Sequence, residues 1–458
     1  MFKKIEIWIL YLTILLSILF AIGFGVLVRQ ELVGSIKAGW VSKTALNLAE
    51  IPVNIRSILQ GLDSDLIVED RFLNLDGFNG TPNSEESYLL LSRYDGDLKE
   101  GVVELVDLRT FEILHTWNPD IDAFNNLVEK VDEFRYLNRD FNNRRFILRH
   151  PLLTRDNGLI FKMFSPLFKI NSCSNLLIKN THNKFHHSLE LDSDGYIYVP
   201  SQMFPQSLPS HKVGTKTGSE SGYEDGFNDD AIVKLSSKGE ILFEKSVSQI
   251  FIDNGLEHLL FSVGDRLFDT DPIHLNDIQP VNFDGEFWKK GDVFLSLRHQ
   301  SMVLLYRPSS NEIIWKGTGA SFHQHDVDIL DNHRISIFNN NSKDFVNGDE
   351  VDGHNEVIIY DFKTDEYFSY LKDSLINNDA RTITEGRSQI LPNGDLFIEE
   401  SNYARTLYFN ADGSLRWTHV NRASDGNVYR VGWSRILYLH EDIQTVNIFL
   451  TNKGTCNE

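Results

Sequence analysis

Histidine recurs at matching places along this 458-residue chain. His150 stands eight residues before Gly158, and His187 stands eight residues before Gly195. His274 opens His274-Leu275-Asn276, and His325 sits in Gln324-His325-Asp326. A further segment opens on Arg387-Ser388, and Arg298 lies in the run LSLRHQS. Histidine can act as nucleophile, general base or metal ligand. A lone histidine in a strand is usually a satisfied structural residue. Four at equivalent positions of successive units would converge if those units surround one axis. Three neutral imidazoles could hold zinc or iron. An arginine beside them repels a cation and forks onto tetrahedral oxyanions, so this set suits a sulfate or phosphate group and implies no metal.

The elements that must position these residues are short strands. From Ser87 onward the apolar period is two, and Asp/Asn/Gly turns separate the runs. LELDSDGYIYV at 189–199 and VKLSSKGEILFEK at 233–245 read as hairpins. So do stretches at 104–117, 152–164, 305–317, 327–338, 358–370, 388–400 and 407–419. Paired, they form six units of about four strands, starting near Ser87, His150, His187, His274, His325 and Gly386. Radial repetition of such units predicts an all-β, six-bladed β-propeller, with a β-sandwich as the alternative. Each unit's first strand then lines the channel, with its opening residue towards the axis. Pro205–Asp230 and the helix-like Ser248–Leu260 read as insertions. Val428–Leu450 is strand-like text that could close the ring, although its register is not readable.

Ile7 to Val28 carries no charge, which gives about 33 Å of helix and predicts a transmembrane anchor over 1–28, with a cleaved signal peptide as the rival. Residues 29–80 are expected to form a helical stalk or collar, and Gly77–Glu86 a turn-rich boundary before a propeller over 85–450. Lys3 and Lys4 place the N-terminus in the cytoplasm and the propeller outside it, periplasmic or extracellular. The balance of 44 Lys+Arg against 65 Asp+Glu, a net charge of −21, argues against a nucleic-acid partner. Two cysteines, Cys173 and Cys456, make no disulfide framework or zinc ribbon, and they join only if the tail returns to the second unit. No phosphate-binding glycine loop, serine elbow or H-E-x-x-H motif occurs, and HEDI at 440–443 is only a fragment.

Four ordered stretches carry a resemblance: HHSLELDSDGYIYV (186–199), HLNDIQPV (274–281), GDVFLSLRHQS (291–301) and SFHQHDVDILDNHRISIFNN (321–340). Here the chain resembles the arylsulfotransferase family, whose members move a sulfuryl group between phenols without phosphoadenosine phosphosulfate. The resemblance implies a six-bladed propeller, an aryl sulfate donor, a phenolic acceptor and no cofactor. It implies catalytic roles for His187, His274, Arg298 and His325, with His325 as the nucleophile that carries a transient sulfohistidine. Asn276, His323, His150 and Arg387 are expected to contact substrate, and Gln300 to stand behind them. His186 adjoins His187, and the spacing to Leu191 favours His187 as the inward residue. His299 is expected to point away from Arg298. The anchor and stalk depart from the secreted family members, which carry an N-terminal β-sandwich. A close cysteine pair is also missing. Two other readings stand beside this one: a membrane-tethered propeller that only binds a ligand or partner, and a different lyase or hydrolase on the same scaffold, with or without a metal.

Overall fold

The computed structural model of the chain describes residues 6–32, 39–42, 44–46, 48–49, 66–131, 134, 137–182, 184–214, 226–262 and 268–454. It comprises two compact units, Met1–Asp65 and Leu66–Glu458. In the first, Ile7–Leu32 is one helix with mean hydropathy 2.5 over Ile7–Gln30, and it is apolar on every side. Such a helix is long enough to cross a bilayer or to serve as a signal sequence. Of the helical stalk expected over 29–80, residues 33–38, 43, 47 and 50–65 lie outside the described residues, short helical turns occur between 40 and 49, and 66–80 is not helical but carries the strands Ile67–Val68 and Gly77–Gly80.

The second unit is a six-bladed β-propeller. Blade 2 runs Arg149–Leu153, Leu159–Lys162, Leu167–Ile170, Leu176–Asn180, each strand antiparallel to the next. Blade 4 (Leu275–Pro280, Val293–Leu297, Met302–Arg307, Glu312–Thr318) repeats that order, as does blade 5 (Val327–Ile329, Arg334–Asn339, Glu356–Asp361, Glu366–Tyr370). In blade 3 the innermost strand is broken into Lys184–Phe185 and Glu190–Leu191, both paired to Ile197–Gln202. The two middle strands of blades 4 and 6 are wholly or nearly wholly buried, so their sequences read as largely apolar runs. Leu295, Leu297 and Leu304 of blade 4 pack with Ile232 and Val247 of blade 3, and such clusters join blade to blade.

Three features differ from the sequence expectation. Blade 1 does not supply its own axial strand. Tyr88–Asp95 is second from the axis and pairs with the C-terminal strand Arg435–Leu437, Leu90 opposite Arg435. The ring therefore closes between the two ends of the chain, which leaves no open inner edge. The compact unit also begins at Leu66 rather than at 85. Gly77–Gly80, read as turn, is a fifth strand on the outer edge of blade 6, opposite Trp417–Val420. A polar, glycine-rich segment carries no strand pattern, but it meets an edge with unpaired N–H and C=O groups. Last, a hairpin, Ser342–Phe345 with Gly348–Val351, is inserted in blade 5.

The HEDI segment opens the C-terminal helix His440–Asn452, where the Asp442 carboxylate accepts the Leu439 N–H at 3.1 Å. Its Val446 and Phe449 pack on Trp117 and Phe168 of blades 1 and 2. Beyond it, the Lys453 carbonyl accepts from Ser172 Oγ at 2.7 Å, so the tail does return to blade 2. Cys173 is disulfide-bonded, and the only other cysteine in the sequence, Cys456, lies outside the described residues. A cross-link restricts the unfolded chain more than the folded one. Replacing Cys173 by Ser is expected to lower stability by about 2–4 kcal/mol. Urea unfolding with and without reductant checks this: the variant should match the reduced wild type.

Candidate active site

All six blades enter the axial strand through a residue of positive φ: His150 (47°), His187 (49°), His274 (52°), His323 (49°), Gly386 (113°) and Trp433 (64°). This left-handed turn costs a non-glycine residue roughly 1–2 kcal/mol, and histidine tolerates it better than most. It swings the side chain off the strand. The repeated histidine is thus partly a conformational signature of the blade entrance.

The turn brings His187 and His274 together, and His325, two residues past the blade 5 turn at His323, joins them. The His187 ring centroid lies 5.0 Å from His274 and 6.2 Å from His325. His186 points instead towards Asp230, 3.4 Å away, while its Nδ1 meets His187 Nδ1 at 2.8 Å. His325 is fully buried, and Asn340 Oδ1 lies 2.7 Å from its Nδ1. Asn340 cannot flip, because its Nδ2 donates to the carbonyls of Thr382 (3.1 Å) and Glu385 (2.9 Å). The oxygen therefore faces the ring, Nδ1 carries the proton, and the lone pair is on Nε2. That Nε2 is buried with no hydrogen-bond partner among the described residues. Burial, then the Arg298 charge, holds the His325 pKa well below its usual 6.5, against the pull of Asn340. Replacing Asn340 by Ala frees the ring to invert, and should cut kcat for the activity proposed below about 10- to 100-fold with little change in KM. A kinetic comparison at one pH checks it.

His274 Nδ1 is hydrogen-bonded to Asp271 Oδ2 at 2.6 Å. Burial pushes Asp271 up, but the hydrogen bond and charge of His274, with His299, bring it down to about 2, so it stays ionised. Arg298 is 8% exposed, and its backbone N–H donates to the His274 carbonyl. Its Nη1 meets His299 Nε2 at 2.7 Å, Nη2 meets Asp349 Oδ2 at 3.0 Å, and Nε has no partner among the described residues. His299 does not point away: its ring lies 4.4 Å from His274. The strand ends at Leu297, and alternation does not extend into the turn that follows. Burial, followed by Arg298 and His299, lowers the His323 pKa to about 4. Gln300 Nε2 donates to two backbone carbonyls, those of Leu259 and Pro272, and so braces the turn.

The remaining expected residues occupy a buried layer. Asn276 is 0% exposed and donates to the Gln324 carbonyl at 3.0 Å. His150 and Arg387 are 0% and 2% exposed. His150 Nδ1 accepts the Leu189 N–H, and its Nε2 lies 2.9 Å from Arg387 Nη1 and 2.6 Å from Arg435 Nη2. Arg435 binds Glu190 at 3.1 Å, and Arg387 lies 3.5 Å from Asp326. Asp277 and Asp328 are held well above the usual carboxylate range, by burial first and then by Asp326. The axis is therefore a network of arginines and inward carboxylates, whereas the set read from the sequence comprised only histidines, arginines and amides. Sequence reading missed Asp271, although an acid three residues before His274 was a visible signal. Asn340, Asp349, Trp433 and Arg435 carry no local signal.

Two triples place ligand atoms within 4.8 Å of one another: Asp271, His274 and His299, and His323, Asp344 and Asp349. Arg298 touches His299 of the first and Asp349 of the second, a charge that opposes a cation in either.

The sequence model of the family described as "Arylsulfotransferase (ASST)" matches residues 150–422 of the chain. No curated protein matches it. Among solved structures, a protein of unknown function from Bacteroides caccae is similar at 11% identity, covering 77% of this chain and 99% of that one, with a TM-score of 0.43. TolB from Acinetobacter baumannii is similar at 10% identity, covering 77% and 66%, with a TM-score of 0.41. The WD40 propeller domain of Doa1 aligns at 11% identity over 81% and 95%, with a TM-score of 0.38. These structural likenesses are too distant to bear on function.

Proposed function

Because this chain belongs to the arylsulfotransferase (ASST) family, matched over 150–422, we propose that its channel transfers a sulfuryl group from an aryl sulfate to a phenol through a sulfohistidine on His325. Family membership supports sulfotransferase-type activity in general. The finer reading rests on one observation: a buried imidazole whose Nδ1 proton is fixed and whose Nε2 lone pair is unpartnered.

In the first half-reaction His325 Nε2 attacks sulfur, an N–S bond forms, and the aryl S–O bond breaks with its electron pair leaving on the phenolate. His274, oriented by Asp271, passes a proton to that oxygen. In the second, the acceptor phenol gives its proton to His274 as its oxygen attacks sulfur, and the N–S pair returns to Nε2. Arg298 and His187 stabilise the sulfuryl oxygens as charge develops. No phosphoadenosine phosphosulfate enters this scheme. Asn276, His323, His150 and Arg387 stay as substrate-side candidates. Asn276, His150 and Arg387 are buried, and the last two, joined to Arg435 and Asp326, set the charge beneath the site. The Cys173 disulfide supports an oxidising compartment, with Ile7–Leu32 as anchor and the propeller outside the cytoplasm.

Incubation with 4-nitrophenyl sulfate and a phenol tests this. The expected outcome is sulfuryl transfer by the purified protein without added cofactor. Ligand binding without turnover would favour the non-catalytic reading. The pH profile adds a second check. Protonation destroys the nucleophile, but burial and Arg298 disfavour the imidazolium, so the neutral form persists as pH falls. With this good leaving group, kcat/KM should stay level as pH passes down through 6.5, the ordinary histidine value, and drop only well below it. A half-loss at 6.5 would contradict the burial argument.

A further inference from the structure

Trp433 lies outside the matched residues 150–422, on the segment that closes the ring. It is 2% exposed and adopts φ 64°, a conformation bulky side chains avoid. The surroundings over-determine that turn. Glu399 accepts the backbone N–H groups of Trp433 and Ser434, both at 2.6 Å, and the Ser401 hydroxyl at 2.7 Å. The flanking Gly432 donates to the Ser92 carbonyl at 2.9 Å and accepts from the His150 N–H at 2.8 Å. A Cβ at Gly432 would come within 2.5 Å of Ser92 Oγ, so the backbone passes where no side chain fits.

This strained turn delivers an indole to the histidine cluster. The Trp433 ring lies 6.1 Å from His325, 6.1 Å from His187 and 5.5 Å from His150. Its Nε1 is buried and has no hydrogen-bond acceptor among the described residues. An indole nitrogen only donates, and leaving such a donor unpaired costs about 1–3 kcal/mol. Trp117 and Trp288 also carry unpartnered indole N–H groups, but within apolar clusters, whereas the Trp433 indole stands among histidines. His325 Nε2 beside it is likewise unpartnered, as is Nε of Arg298, whose guanidinium meets His299 next to His274. In kind, these groups are what a tetrahedral anion requires: a nucleophile for the central atom and donors for its oxygens.

Resting on the sulfuryl-transfer reading above, we propose that Trp433 is a further substrate-contacting residue, whose indole N–H donates to a sulfuryl oxygen of the aryl sulfate and of sulfo-His325. Trp433 keeps its proton throughout and forms no covalent bond.

Two measurements on the full chain in detergent decide it. In kinetics with 4-nitrophenyl sulfate, Trp433→Phe keeps the ring and deletes the donor. The expected result is a fall of about 10- to 100-fold in kcat/KM with an unchanged circular dichroism spectrum. An active wild type with a folded Trp433→Phe within about twofold of it overturns the inference and leaves the sulfuryl-transfer reading standing. The second measurement does not depend on turnover or on the folding of that variant: a crystal structure of His325→Asn soaked with 4-nitrophenyl sulfate. An indole nitrogen about 3 Å from a sulfuryl oxygen supports the assignment. An indole turned to a protein acceptor, or a sulfate ester bound elsewhere, overturns it. A wild type that transfers nothing refutes the sulfuryl-transfer reading instead, and the crystal then reports on the indole alone.

Discussion

Replacing His325 by Asn is expected to leave a folded protein whose sulfuryl transfer is lower by more than about 1,000-fold. The ring is wholly buried, so the smaller side chain leaves space but no charge. Asparagine can still meet Asn340 across the pocket, yet it offers no lone pair that a sulfuryl group would join at neutral pH. The size of the effect follows from the mechanism. Removing a nucleophile deletes the covalent route, and the residual rate comes from positioning alone. Mass spectrometry gives the matching positive result: after exposure to donor without acceptor, the wild-type peptide containing His325 gains the mass of one sulfuryl group. The variant peptide gains nothing. Label on His187 or His274 instead would move the nucleophile to that neighbour, because all three rings share the cluster.

Replacing Arg298 by Ala should lower kcat/KM about 100- to 1,000-fold, the range for loss of one preorganised donor to a developing oxyanion. Arg298→Lys should recover only part of this, since a point charge does not reproduce the guanidinium fork. Asp349 sharpens the test. It holds Nη2 at 3.0 Å from the inserted hairpin of blade 5, and its side chain is 36% exposed. An incoming sulfate competes with that carboxylate for the same guanidinium. Asp349→Asn should therefore lower the KM for the donor, while the arginine variants lower kcat. Steady-state kinetics on the three variants separate the effects. A KM unchanged in Asp349→Asn would show that the Nη2 contact is not displaced by substrate.

Much of the scaffold was legible in the chain. Alternating apolar residues and D-G, N-G and K-G turns specify hairpins locally, through steric and hydrogen-bonding preferences that need no distant partner. Nine stretches read that way are hairpins in the structure. The apolar helix at Ile7–Leu32 is equally local. His187 and His274 stand at equivalent blade entrances, a place blade 5 gives to His323, so repetition pointed to the first two while Arg298 and His325 were named through the family resemblance.

What failed in the sequence reading failed for a common reason. The axial strand of blade 1 is Arg435–Leu437, separated from its partner Tyr88–Asp95 by most of the chain. No local pattern encodes such a pairing, so Trp433 and Arg435 could not be placed at the axis. Alternation misassigned His299, because a turn and not a strand carries it. Asn340 looked like one of three asparagines in a row, and only its bonds to Thr382 and Glu385 reveal why its oxygen faces His325.

By itself, then, the sequence determined the hairpins, their sixfold repetition, the apolar N-terminal helix and the residue types available at the axis, since each depends on neighbours a few positions apart. The tertiary structure decided which imidazole nitrogen keeps its lone pair, which carboxylates balance the arginines and which distant segment completes the site. Proton position and charge depend on burial and on partners hundreds of residues away, and only ring closure brings those partners together.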